Sequence, residues 1–240
     1  MKKILFTVAM FSICSAITAQ ESTSTTTTTV SDFKPEAGAN NLEINFTPLG
    51  NTPVSITNIR YRRFLTETTA LRLGFGISLV SSSNEEVLKP TVGSDIIKKS
   101  KVSSFGWNIK PGYEMHFEGT KRLSPYIGGE LAIASQTSRT VTHSLSATNE
   151  VIETTVKNAN AGHIGFFSIG ANALAGFDFY VAKHLYMGAE MGFGFAYISN
   201  YKRKTTSSPA PVTAVKDVDQ GRSFTLAPNF NGGIRVGYIF

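Results

Sequence analysis

The chain has one cysteine, and what that scarcity excludes frames the rest. Cys14 lies in the amino-terminal leader, so beyond the leader there is no thiol for a disulfide framework, a thiolate metal site or a cysteine nucleophile. Long apolar runs are also missing. Past the leader no stretch reaches the roughly 18 residues of a transmembrane helix, and the mean hydropathy is −0.02. Charge is sparse too, at 17% of residues. The four histidines, His116, His143, His163 and His184, are scattered at spacings that bring no two of them to one metal.

Met1–Gln20 reads MKKILFTVAMFSICSAITAQ: two lysines, an apolar stretch from Ile4 to Ile13, and small residues before Ala19. That is the form of a secretory signal cut after Ala19 or Gln20, giving a signal peptide over 1–20. Bulky Ile13 before Cys14 argues against a lipoprotein site. Loss of Lys2 and Lys3 with the leader lowers the formal net charge from +6 to +4, a mild basicity that gives an exported protein no reason to bind nucleic acid. The Ser/Thr-rich stretch 21–40 is too polar to build a core and is expected to be a disordered linker. Residues 41–240 are left as one structural unit.

From Asn41 onward the apolar residues recur every second position in about eight segments separated by turn-like breaks, the mark of strands with two unlike faces. The clearest sets Phe105, Trp107, Ile109, Tyr113, Met115 and Phe117 against Ser104, Gly106, Asn108, Lys110, Gly112, Glu114 and His116. Connections alternate in length. Short ones fall at 66–70, 118–124 and 183–184, and long polar ones near 81–101, 142–160 and 204–222, with a tight Gly50–Pro53 turn between the first two segments. This predicts an all-β, transmembrane up-and-down antiparallel β-barrel of about eight strands, with both termini at the short-turn, periplasmic end.

The two faces say which side meets lipid. The polar faces carry Arg60, Arg62, Arg72, Lys110 and Arg235 with Glu43, Glu114, Glu130, Asp178 and Glu190, five of each sign among many glycines. Glycine beside long charged side chains suits a narrow interior where bulk is limited. The apolar faces hold almost no charge and gather aromatics near their ends: Tyr61, Tyr113, Phe117, Phe179, Tyr238 and Phe240 toward the turns, and Phe46, Phe105, Trp107, Phe167, Phe195, Tyr197 and Phe224 toward the loops. These are aromatic girdles in pattern. In hydrocarbon every backbone group needs a partner, and a closed barrel leaves no edge. Arg63, on an outward face, fits near the short-turn interface.

At its end the chain runs RVGYIF, with Val236, Tyr238 and Phe240 on alternate positions. With this tail the stretch 41–240 resembles the small outer-membrane β-barrel proteins of the OmpA/OmpX type, in particular those of Bacteroidota-like bacteria. The resemblance implies that Val236, Tyr238 and Phe240 are the signal read by the barrel-assembly machinery, and that the protein resides in the outer membrane after export.

No motif for chemistry emerges. Gly74-Phe75-Gly76 and Gly192-Phe193-Gly194 lie inside strand patterns with no helix following, so they are not phosphate loops. His143 with Ser144 and Glu153, or His163 with Ser168, form no recognisable hydrolase set. The expectation is a non-enzymatic barrel, without cofactor or metal, whose lumen is closed by ion pairs and whose role is structural or interactive through its loops or wall. One expected form of that role is an accessory subunit of a larger outer-membrane complex. The alternative is a narrow channel for small or amphipathic solutes, OmpW-like in kind. Expected partners are outer-membrane lipid or lipopolysaccharide, touched by basic loop residues such as Lys98, Lys99, Lys101 and Lys204, and other outer-membrane proteins. The stretches Arg139–Leu145 and Val151–Lys157 are rich in Thr, Val and Ile and predict a hairpin continuing past the membrane.

Overall fold

A computed structural model describes residues 33–46, 54–88, 96–145, 151–159, 163–208, 216–230 and 233–240. The expected leader, most of the linker and the Gly50–Pro53 turn lie outside them. The described residues form twelve strands: β1 (Asn40–Phe46), β2 (Val54–Phe64), β3 (Thr69–Leu88), β4 (Ile96–His116), β5 (Leu123–Leu145), β6 (Val151–Lys157), β7 (Phe166–Ala182), β8 (Leu185–Asn200), β9 (Arg203–Ser208), β10 (Lys216–Val218), β11 (Arg222–Phe230) and β12 (Ile234–Ile239).

Eight of them close a ring. Each of β1, β2, β3, β4, β5, β7 and β8 pairs antiparallel with the next, β8 pairs with β12, and β12 returns to β1. β11 pairs with β8 over Arg222–Phe230, ahead of β12 on the same neighbour. The alternation that runs from Phe224 to Phe240 in the sequence is thus carried by two strands, with 231–232 between them. The closing seam is anchored by Asn40 and Phe240, whose backbones exchange two hydrogen bonds at 3.1 and 2.8 Å.

The long connections turn out to be largely strand. β3, β4 and β5 run for 20, 21 and 23 residues, about twice the 9–11 of a tilted spanning strand. β3 and β4 stay paired out to Leu88 and Ile96. Serine-rich 81–83 carries no apolar alternation, which hid this strand in the sequence, yet its backbone is in register with Val102, Ser103 and Lys101. The hairpin expected across 139–157 is present from Arg139↔Lys157 to Leu145↔Val151. β6 then pairs with β9, and β9 with β10, so the wall rises above the ring on this side.

The linker boundary shifts. β1 starts at Asn40 rather than Asn41, and Phe33 and Ala39 pack on a small buried cluster of Tyr180, Tyr186 and Ile239 at the short-turn end. Arg122 stacks on the Phe33 ring at 4.1 Å, and Gly38 donates to the Phe64 carbonyl at 2.8 Å. Residues 33–39 are therefore held against the barrel, through one aromatic ring and backbone bonds that the polar composition of 21–40 did not suggest.

Polarity is inverted relative to a water-soluble domain. Among the described residues the buried apolar set is seven side chains, three of them tyrosines, whereas fourteen polar or charged residues are buried. Leu71, Leu73, Phe75 and Ile77 on β3 are 40–58% exposed, while the alternate Arg72 is 2% exposed. In water, apolar surface on this scale would strongly favour association; in lipid it needs no partner.

Candidate functional site

Every strand of the closed ring contributes a charged side chain to the lumen: Glu43 from β1, Arg60 and Arg62 from β2, Arg72 from β3, Glu114 from β4, Glu130 from β5, Asp178 from β7, Glu190 from β8 and Arg235 from β12. Period-two alternation aims them all inward, and closure brings them together. Arg72 Nη1 is 2.7 Å from Glu114 and 2.8 Å from Glu190, while its Nη2 is 3.0 Å from Glu130. Arg62 Nη1 meets Glu114 at 2.9 Å and Asp178 at 2.8 Å. Arg235 bridges Glu43 and Asp178, each at 3.0 Å, and Arg60 bridges Glu43 at 2.7 Å and Glu190 at 3.0 Å. The side chains of Arg62, Arg72 and Arg235 are 0% exposed.

Neutral groups complete the shell. The Tyr126 hydroxyl donates to Glu190 at 2.6 Å and that of Tyr186 to Glu43 at 2.8 Å. Arg62 Nε donates to the Asn41 side-chain oxygen at 3.3 Å, and Asn172 donates to Glu130 at 3.3 Å. His116 shares hydrogen bonds with Ser124 at 3.0 Å and Glu114 at 3.4 Å. Arg62 and Arg235 also lie over tyrosine rings, at 4.9 Å from Tyr186 and 5.3 Å from Tyr126. Fixed donors and rings around Glu43, Arg62, Glu114, Glu190 and Arg235 offset part of the desolvation that makes buried ions costly.

Glycine supplies the space. Across the ladder Gly112 lies between Arg72 and Glu130, Gly188 between Arg235 and Asp178, and Gly176 between Glu190 and Tyr126. A Cβ on Gly188 would stand 2.7 Å from Arg235 Nη2 and 2.9 Å from Asp178, and one on Gly112 would stand 2.9 Å from Arg72 Cγ. Large side chain and glycine alternate around the wall, so a lumen of eight strands, ordinarily just filled by its side chains, accommodates four arginines.

One expected member does not join. Lys110 makes no ion pair among the described residues, so the five-against-five balance becomes four arginines against five acids. Lys110 lines a polar cavity of about 290 Å³ together with Asn45, Asn58, Arg60, Glu130 and Glu190. Lys110 of β4 and Arg60 of β2 both face Gly74 of β3, so the two cations share a register row, and it is Arg60 that takes Glu43 and Glu190. Tyr126, Tyr186, Asn41 and His116 were not singled out from sequence. Their signal was their position two residues from a glycine or charge on the polar face, which does not say that a phenol reaches a carboxylate.

On the outer wall the aromatic residues form two bands. Tyr113, Phe117, Phe179, Tyr238 and Phe240 are 40–62% exposed near the turns, and Phe105, Phe167, Phe195, Tyr197 and Phe224 are 38–65% exposed toward the loops. Phe195 and Phe224 stack at 5.9 Å. Tyr238 and Phe240 point outward from the closing strand at 55% and 62% exposure, with Val236 partly exposed on the same face. Among the described residues no three His, Asp or Glu side chains are arranged to hold a metal ion.

No curated protein matches the chain. Residues 45–235 match the model of the OmpA_like family, described as "Putative OmpA-OmpF-like porin family". The match covers the ring strands from the end of β1 into β12 and every charged residue of the lumen except Glu43, which lies just before it. A closed β-ring, apolar outside and ion-paired inside, is an outer-membrane β-barrel of this kind, and the chain belongs to the OmpA-OmpF-like porin family.

Proposed function

We propose that the protein is a non-enzymatic outer-membrane barrel with a closed lumen, acting as a structural or interaction protein through its outer wall and its raised loop end. The observation that carries this reading is the set of three arginines with wholly buried side chains, ion-paired both to acids on nearby strands and, as Arg72 to Glu190 and Arg62 to Asp178, to acids across the ring. A conducting pore needs a continuous water path, and charges held in a mutual network leave none at their level. Signal-directed export would place the short turns and both termini in the periplasm and the tall wall of β3–β6 outside. The raised wall offers the surface for another outer-membrane protein, and an accessory place in a larger complex follows from the same surface.

The second reading is a narrow solute channel, favoured by the family's porin description and by the cavity of about 290 Å³ that reaches the ion pairs from the loop side. Planar-bilayer recording separates the two. The closed reading expects no steady unitary openings from the folded full chain; steady openings whose size changes in Arg72→Ala or Glu130→Gln would replace it with the channel. Co-purification from mildly solubilised membranes addresses the interaction role, and recovery of the barrel alone at every detergent strength would count against an accessory subunit.

A further inference from the structure

Above its apolar band the outer wall carries cations side by side. Arg139 of β5 stands opposite Lys157 of β6, and Lys157 opposite Lys204 of β9. Cross-strand partners share a face and neighbouring strands lie about 4.8 Å apart, so the three side chains leave the wall within about 10 Å of one another. On the far side of Arg139 is Ser103 of β4, and Lys101 follows Ser103 on the same face. The face is the outer one: even steps along β5 lead from Ile127 and Leu131, 46% and 54% exposed, to Arg139, and even steps along β4 lead from Ile109 and Phe105, 45% and 44% exposed, to Ser103 and Lys101. All four cations are exposed.

Like charges directly opposite one another destabilise a ladder, and here three adjoin. Asp217 closes the row opposite Lys204. The loop-end ion pairs among the described residues, Lys98–Glu86 and Lys99–Glu85, include none of the four. The depth of the row is also specific. Arg139 and Ser103 stand one same-face step beyond Phe105, about 6.6 Å along the strand, and aromatic belts mark the headgroup level. Between the two levels a cleft of about 640 Å³ is lined by Leu79, Phe105, Thr137, Arg139 and Lys157 among others, and Leu79 is 78% exposed. Apolar surface below and concentrated positive charge above is the profile of an amphiphile with an anionic head.

We propose that this row binds the phosphorylated glycolipid of the outer leaflet, its phosphates held by Arg139, Lys157 and Lys204 with Lys101 as a fourth donor, and an acyl chain lying along Leu79 and Phe105. The inference rests on the reading that the tall wall faces outward, because that leaflet carries such a lipid. Three cations within about 10 Å match the multiple phosphates of a diphosphoryl lipid A better than the single charge of a glycerophospholipid.

The test uses the full chain folded in nonionic detergent, titrated with diphosphoryl lipid A and read by native mass spectrometry. The expected result is saturable binding, weakened about fivefold for each charge removed in Arg139→Gln, Lys157→Gln and Lys204→Gln, steeply salt-dependent, and resistant to millimolar inorganic phosphate, which lacks the apolar contact. Lys183→Gln, an exposed cation in the short turn between β7 and β8 at the other end of the barrel, serves as the control and should leave affinity unchanged. Equal binding by the triple variant, equal loss in the control, or displacement by inorganic phosphate would each overturn the site. Orientation is read separately, by labelling Ser208→Cys, exposed at the loop end of β9 and outside the cleft, on intact cells. Failure to label with lipid binding intact removes the orientation alone, and labelling with no lipid binding removes the site alone.

Discussion

Arg72 and Glu190, 118 residues apart in the chain, meet inside the lumen with Nη1 2.8 Å from Oε2 and Nη2 3.1 Å from Oε1. The arginine also holds Glu114 and Glu130, so it neutralises carboxylates from three other strands at once. Removing one partner of a buried ion pair leaves the others uncompensated. Arg72→Met should lower the unfolding free energy by about 3–5 kcal/mol. Urea titration of the folded barrel, followed through Trp107, the chain's one tryptophan, measures it. Because the residues share a network, Arg72→Met with Glu190→Met should cost less than the sum of the single changes; strict additivity would show that the two do not communicate.

The two faces of the wall should treat a methyl group differently. Gly188→Ala places Cβ 2.7 Å from Arg235 Nη2 and 2.5 Å from the Phe177 carbonyl oxygen, and overpacking of this kind costs about 1–3 kcal/mol. On outward Gly129 the nearest atom is the Asn172 carbonyl oxygen at 3.7 Å, so Gly129→Ala should change stability by no more than about 0.5 kcal/mol. Equal effects in the same urea assay would mean that the inward glycines do not ration space.

Charge placed on the outer wall should report depth. Ile109 lies near the middle of the outward apolar run that extends from Phe117, just past β4, to Phe105. Ile109→Arg should cost about 2–4 kcal/mol in lipid vesicles, and Phe105→Arg, at the upper aromatic band, about 0–1 kcal/mol. In a short-chain detergent that screens no fixed thickness the two costs should converge. A larger cost at Phe105 than at Ile109 would move the membrane boundary.

Phe240 has separable roles. Its backbone seals the seam by exchanging hydrogen bonds with Asn40, while its ring is 62% exposed on the outer wall. Phe240→Ala keeps the seam and removes the ring. If the ring is the assembly signal, the folded yield in cells should fall severalfold while the purified barrel loses less than about 1 kcal/mol. Matching losses in both would mark the ring as ordinary wall.

The sequence displayed the strands and their faces because alternation is local: Leu71, Leu73 and Phe75 set against Arg72 and Gly74 need no knowledge of neighbours. It also displayed the inward charges, since each lies on a polar face. It could not show which carboxylate each arginine takes, because Arg235 and Glu43 become adjacent only when the last strand closes on the first. The same limit hid the row of Arg139, Lys157 and Lys204, whose members are spread over three strands and meet through register alone. Lys110 shows the converse case: its face was legible, but not that its row-mate Arg60 would take the acids instead.

The contribution of at least one charged group by every strand of the ring also bears on how the barrel reaches its final form. A one-residue slip of any strand would turn its charge toward lipid and an apolar side chain toward the lumen, leaving the remaining charges unmatched on the opposite wall. Such mistakes cost little while the sheet is open to water and a great deal once it is enclosed in hydrocarbon. Glu43 waits for Arg235, the first strand for the last, so the lumen acts as a register check that is satisfied only by a complete, correctly ordered ring, and the penalty for error falls at the moment of sealing.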